Sequence, residues 1–166
     1  MVRFGRYASM SIHDALKRLQ NLVPEADAHC DGPCGIYDPA SARVAAEAVV
    51  SMTKKILAMT PPDASDTTAV LRFHNTLSRY VAIKEEQAEQ TKRELLILWT
   101  DYFKPPHLQD FPDLHDTFWK AAKLCSTCKV EVNQQHADEL LDAVKNIHDI
   151  FWKSKSRSVD WVLAGG

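Results

Sequence analysis

Glycine is scarce in this chain, with five in 166 residues. Alanine, leucine, lysine, glutamate and glutamine are abundant instead, a balance that favours helix. An excess of charge of one sign is also missing. Twenty Lys and Arg against 22 Asp and Glu leave a formal charge of −2, so nothing electrostatic points to nucleic acid or an acidic membrane surface as partner. No apolar run approaches the ~20 residues of a membrane-spanning helix, and no membrane partner is expected. Arg3 and Arg6 stand near the start without an acid beside them, but no continuous apolar stretch follows, which argues against a secretory signal. No segment reads as a strand, and no internal repeat is visible.

What is present suits one domain with a sizeable core: 45% of residues are hydrophobic and 25% charged. Ser11-x-x-Asp14 resembles a capping box and opens a short amphipathic pattern, Ile12, Leu16, Leu19 and Leu22, that Pro24 ends. Asp38 followed by Pro39 predicts a helix start, continued by Ala42, Ala46, Val49, Val50, Ile56 and Leu57 at helical spacing. The prolines of TPPDAS (60–65) stop it. A long second helix is predicted from Asp66 to Trp99, with an apolar face of Val70, Phe73, Leu77, Tyr80, Val81, Ala88, Leu95 and Leu98. That face weakens across KEEQAEQTKRE, which predicts exposure or looser packing there. A third helix is predicted from Pro112 to Leu124 and a fourth from Asn133 to Lys155, the latter with the cleanest stripe. The fold class expected is all-α, an antiparallel four-helix bundle, followed by a tail at 156–166, apolar at Trp161-Val162-Leu163 and flexible at its end.

The chemistry concentrates in HCDGPCGIYDP, residues 29–39. Cys30 and Cys34 sit four apart, directly after His29. As residue types alone they are compatible with a disulfide, a zinc half-site or another metal site. The stretch supplies three side-chain ligands at most, fewer than the four of a structural zinc site. Two thiolates, an imidazole and close backbone nitrogens form a donor set suited to square-planar Ni(II) or Cu(II). A second pair, Cys125 and Cys128, falls in the predicted connection between the third and fourth helices, where it reads as incidental loop cysteines.

HCDGPCGIYDP resembles the metal hook of the nickel-containing superoxide dismutases, and LWTDYFKPPH (98–107) resembles that family's signature between its second and third helices. FPDLH and IFWKSK (150–155) are similar to it as well, so the resemblance runs from about 29 to 155 in the expected order. It implies an enzyme that disproportionates superoxide to dioxygen and hydrogen peroxide, with a nickel ion cycling between Ni(II) and Ni(III). It implies removal of residues 1–28 as a leader by a peptidase, so that His29 becomes the amino terminus. The hook would then be 29–38 and the bundle 39–155. The implied metal ligands are the His29 amino nitrogen and imidazole, the Cys30 amide nitrogen and thiolate, and the Cys34 thiolate. Tyr37 resembles the family tyrosine that stands over the open face of the nickel, and Asp31, Tyr102 and Lys104 match the family positions that line the anion and proton route. The resemblance also implies a homohexamer. A cytoplasmic location is expected, with an organelle-directing role for residues 1–28 left open. A nickel-binding or delivery protein of the same fold is the alternative.

The chain departs from the family at one pair of positions. There the axial imidazole is oriented by a carboxylate on the first helix, paired with an arginine on the second. By register those positions are Ala45 and Gln87. The expectation is that His29 is held more loosely, or that Gln87 reaches it directly or through water.

Overall fold

The structure, a computed structural model, describes residues 35–165. The amphipathic pattern at 11–24, the processing junction, His29, Cys30, Asp31 and Cys34 lie outside the described residues. Four long helices dominate: α1 (Ala40–Leu57), α2 (Thr67–Ile97), α4 (Leu114–Val130) and α5 (Gln134–Ser154). Between α2 and α4 the chain makes a π-helical turn at Leu98–Tyr102 and a one-turn helix, α3 (His107–Asp110). No strand occurs among the described residues, as the sequence predicts.

Local chemistry sets the starts. Asp38 Oδ1 accepts the Ala40 N–H at 2.8 Å ahead of α1, and Asp66 Oδ1 accepts from Ala69 at 2.9 Å at the head of α2. Asn133 Oδ1 accepts from Gln135 and His136 at 2.9 and 3.3 Å and opens α5. Each side chain satisfies donors that the first helical turn leaves unpaired.

The helices close into a ring in which α1 packs on α2 and α5, and α4 on α2 and α5. Direction follows from the cross-links. Lys84 of α2 meets the end of α4 at Cys128 and Lys129, Lys92 meets Ser126, and Trp99 meets His115 at its start. Rising numbers on one helix face falling numbers on the other, so α2 and α4 run antiparallel. Val49, Leu95, Leu114, Phe118, Leu140, Val144, Ile147 and Phe151 fill the centre, which the hydrophobic effect favours by about 1.5–3 kcal/mol for each fully buried large side chain.

Two expectations need correction. The third long helix continues to Val130, past the predicted end at Leu124. Cys125 and Cys128 are therefore not loop residues; they sit three apart on the inner face of α4 and belong to the core. The burial along α2 is also the reverse of its apolar pattern. Lys84, Ala88, Thr91, Glu94 and Leu95 are its buried residues, four of them within KEEQAEQTKRE. The more apolar first half is only partly covered, and Leu71 is 66% exposed. The reason is polar pairing. Lys84, 1% exposed, donates to the carbonyls of Cys128, Lys129 and Glu131, which are among those the end of α4 leaves without helical partners. The Thr91 hydroxyl donates to the Gln87 carbonyl at 2.8 Å.

After α5 the tail turns back over the bundle. Trp161 packs edge-on to His148 at 5.2 Å, and the Ala164 and Gly165 N–H groups donate to Glu47 Oε2 at 2.7 and 2.9 Å. The tail is thus tied to α1 through Glu47 up to Gly165.

Candidate metal-associated site

Gly35 is the first described residue and has φ of +69°. A Cβ there would meet nothing within 4 Å, so the constraint is the backbone conformation and not space. Only glycine adopts that region without strain. The chain then runs through Ile36 and Tyr37 into α1.

Tyr37 lies against Tyr102, with ring centroids 5.6 Å apart at 55°. Tyr102 comes from the π-helical turn, which interrupts the regular ladder at the end of α2 and re-aims its last side chains. Its ring is packed on several sides: against Phe151 at 4.6 Å, edge-on to Phe103 at 4.8 Å and stacked on His107 at 5.7 Å. The Lys155 ammonium lies over the same ring, 5.1 Å from its centroid. The Tyr102 hydroxyl meets Ser154 Oγ at 2.7 Å. His107 is itself fixed, since its Nδ1 accepts the Lys104 N–H at 2.8 Å, which leaves its proton on Nε2 when neutral.

The two separated segments LWTDYFKPPH and IFWKSK therefore converge on one phenol. Of the described residues expected at the site, Tyr37 and Tyr102 are brought together. Lys104 is not in that cluster. It is exposed and lines an adjoining cavity of about 380 Å³ with Trp99, Phe103, Leu108 and His115. Sequence reasoning gave no role at the site to His107, Phe151, Ser154 or Lys155, and read Phe151 only as part of the last helix's apolar stripe, although all four stand inside the two quoted segments. Their presence in those segments was the available signal.

Ala45 and Gln87 line one groove of about 380 Å³ between α1 and α2, with Ser41, Val44 and Gln90. Ala45 is 2% exposed. The register that pairs these positions thus corresponds to proximity in the fold.

Among the described residues no group of three His, Cys, Asp or Glu side chains could hold a metal ion. Cys125 and Cys128 do not provide a substitute. Burial pushes the Cys125 thiol from 9.0 up to about 12, with Cys128 adding to the shift. Burial likewise raises Cys128 to about 11, against the opposing pull of Lys84. Neither is a thiolate near neutral pH, so neither is a ready metal ligand or nucleophile. The donor set of residues 29–34, with two cysteines and a histidine next to backbone nitrogen, does fit nickel by its chemistry.

Residues 24–155 match the family described as nickel-containing superoxide dismutase. The superoxide dismutase [Ni] of Streptomyces seoulensis is 39% identical over 140 residues, covering 84% of this chain and 98% of the relative. That of Streptomyces coelicolor is 37% identical over the same shares of both chains. A crystal structure of a Ni-containing superoxide dismutase with oxidised-state nickel ligation has a TM-score of 0.66 at 40% identity, covering 77% of this chain and 99% of that one. With the family model matching most of the chain and relatives of this identity covered almost end to end, the chain belongs to the nickel-containing superoxide dismutases.

Proposed function

We propose that this chain converts superoxide to dioxygen and hydrogen peroxide at a nickel centre held by His29, Cys30 and Cys34, after a peptidase has removed residues 1–28. The observation that carries the reading is the Tyr37–Tyr102 pair, at the point where the segments LWTDYFKPPH and IFWKSK converge. When bound, nickel would supply a one-electron couple that accepts an electron from one superoxide and returns it to another.

The chain's own residues have two tasks in this reading. The first is to hold the ion: thiolates and backbone nitrogen are strong anionic donors that favour the higher oxidation state. The second is to manage protons, because forming one peroxide from superoxide consumes two of them. Tyr37 follows Cys34 by three residues, and with Tyr102 it offers two neighbouring phenols for that purpose. Asp31 extends the same route. Lys104, whose ammonium is exposed, attracts the anionic substrate by long-range electrostatics. A delivery protein would need none of these proton-handling groups.

A homohexamer completes the reading. It is supported by the partly covered apolar residues of the first half of α2, Val70, Phe73, Leu77 and Tyr80, beside exposed Leu71. A cytoplasmic location fits the free buried thiols of Cys125 and Cys128, and no described helix is long and apolar enough to cross a membrane.

The test is metal analysis with a superoxide-decay assay on protein beginning at His29. Stoichiometric nickel with rapid decay supports the reading; bound nickel without decay overturns it. Mass spectrometry of the natural amino terminus tests the processing step, and a mature chain beginning elsewhere would remove the proposed first ligand.

A further inference from the structure

The end of α5 determines which way the Tyr102 hydroxyl points. Ser156 adopts φ of +55°, and the helix winds up around it: Ser156 N–H donates to the Lys153 carbonyl at 2.9 Å and Arg157 N–H to Trp152 at 2.9 Å. This is the Schellman pattern, completed here around a serine. Within it, the Lys155 N–H donates to Trp152 at 3.1 Å. In an unbroken helix that N–H would reach the Phe151 carbonyl. The Phe151 carbonyl instead accepts from the Ser154 hydroxyl at 2.7 Å.

A serine hydroxyl has one proton. With it committed to Phe151, the 2.7 Å contact between Ser154 Oγ and the Tyr102 hydroxyl has a single consistent polarity: Tyr102 donates and Ser154 accepts. The Tyr102 oxygen is then left with its lone pairs to accept, and its ring lies beside that of Tyr37.

We propose that Ser154 is a positioning residue that takes the Tyr102 phenol proton as a hydrogen bond and so fixes Tyr102 as the acceptor partner in the Tyr37–Tyr102 pair. This role rests on the reading of that pair as the proton-handling element of the dismutase. Proton flow then has a sense. A proton given by Tyr37 to a reduced oxygen species leaves a phenolate that takes its replacement proton from solvent, because the Tyr102 proton is held towards Ser154. Lys155, over the Tyr102 ring and the Phe151 ring at 4.9 Å, helps to hold the ring in place.

The experiment uses the full chain without metal first. Ultraviolet resonance Raman difference spectra against Tyr102→Phe isolate the Tyr102 signal, whose tyrosine doublet reports whether the phenol donates or accepts. Wild type should show a donating phenol, Ser154→Ala should lose that signature, and Ser154→Thr should keep it. An unchanged Ser154→Ala spectrum overturns the assigned polarity. The nickel-loaded proteins beginning at His29 are then compared. Ser154→Ala should slow superoxide decay on the order of tenfold with an altered solvent isotope effect, and Ser154→Thr should restore both. A changed Raman signature with unchanged decay and isotope effect overturns the positioning role. Wild-type protein that binds nickel but shows no decay overturns the dismutase reading and the role in turnover with it, while the Raman result still decides the direction of the hydrogen bond.

Discussion

Tyr37 and Tyr102 meet at 5.6 Å although 65 residues separate them in the chain. Both rings pack against the core, and Tyr102 is held further through Phe151, Phe103 and the Ser154 hydroxyl. Tyr102→Phe keeps the ring contacts and removes one hydrogen bond, so it should destabilise by about 1 kcal/mol. Tyr102→Ala also removes the packing and should destabilise by about 3 kcal/mol. Urea unfolding of the metal-free chain checks both, and equal effects would show that the ring does not contribute as packed.

The Ala45–Gln87 groove makes a second prediction. Ala45→Glu alone places a carboxylate at a position 2% exposed, where a charge lacking a partner is expensive. Adding Gln87→Arg across the same groove should recover at least about 1 kcal/mol in a double-mutant cycle. In the nickel-loaded protein the pair should also alter the Ni(III) spectrum by constraining His29 more firmly. Additive stabilities and an unchanged spectrum would count against any contact between these positions and the metal ligand.

The sequence made the four long helices legible because caps and breakers punctuate them: Asp66 and Asn133 act as side-chain caps in the structure, and Asp38 accepts the Ala40 N–H just ahead of α1 while Pro39 takes the cap position itself. It was misleading where a polar residue is buried for a tertiary reason. Lys84 reads as solvent-facing, yet its partners are carbonyls on a helix more than 40 residues away, which no local pattern reveals. Cys125 and Cys128 read as loop residues because the apolar stripe of α4 thins after Leu124, while small side chains continue its buried face. Of the candidate site, the sequence named Tyr37 and Tyr102, whose rings the fold brings together. The neighbours that orient Tyr102 required the fold, since nothing in IFWKSK alone says which ring its serine meets.

Lys84→Met should reveal how much that buried ammonium contributes. The methionine stem fills similar space but leaves the carbonyls of Cys128, Lys129 and Glu131 without this donor. Burial lowers the Lys84 pKa, so part of the hydrogen-bond gain is offset by desolvation. The net loss should be about 2–3 kcal/mol, with faster hydrogen exchange at the end of α4. A loss below about 0.5 kcal/mol would mean the desolvation penalty cancels the three bonds.

The buried thiols predict a specific alkaline weakness. Their folded pKa values, about 12 for Cys125 and about 11 for Cys128, lie above the ordinary 9.0. An unfolded chain therefore releases these protons first as pH rises. The stability they contribute is complete below about 9 and falls as pH climbs towards 11–12. Between pH 8 and 10 the wild-type chain should lose more stability than Cys125→Ala/Cys128→Ala, as read by urea midpoints. In a Cys30→Ser/Cys34→Ser background, neither remaining thiol should react with a disulfide reagent at pH 8 until the bundle unfolds; rapid labelling would contradict their burial.

Ser156 offers the last prediction. It holds the left-handed conformation, φ +55°, that ends α5, a conformation L-residues other than Gly, Asn and Asp rarely adopt because Cβ crowds the following carbonyl. Glycine removes that crowding, and although it also adds freedom to the unfolded chain, the balance at such a position favours glycine. Ser156→Gly should therefore stabilise by about 0.5–1 kcal/mol. Because the bonds from Ser156 and Arg157 N–H to Lys153 and Trp152 involve main chain only, the winding that redirects Ser154 to Phe151 should persist, and the Tyr102 Raman signature should match wild type. Ser156→Val, with a branched Cβ, should do the opposite: destabilise by about 1–2 kcal/mol and loosen the Ser154–Tyr102 bond. A glycine variant that is less stable than wild type would show that the serine side chain itself contributes to ending the helix.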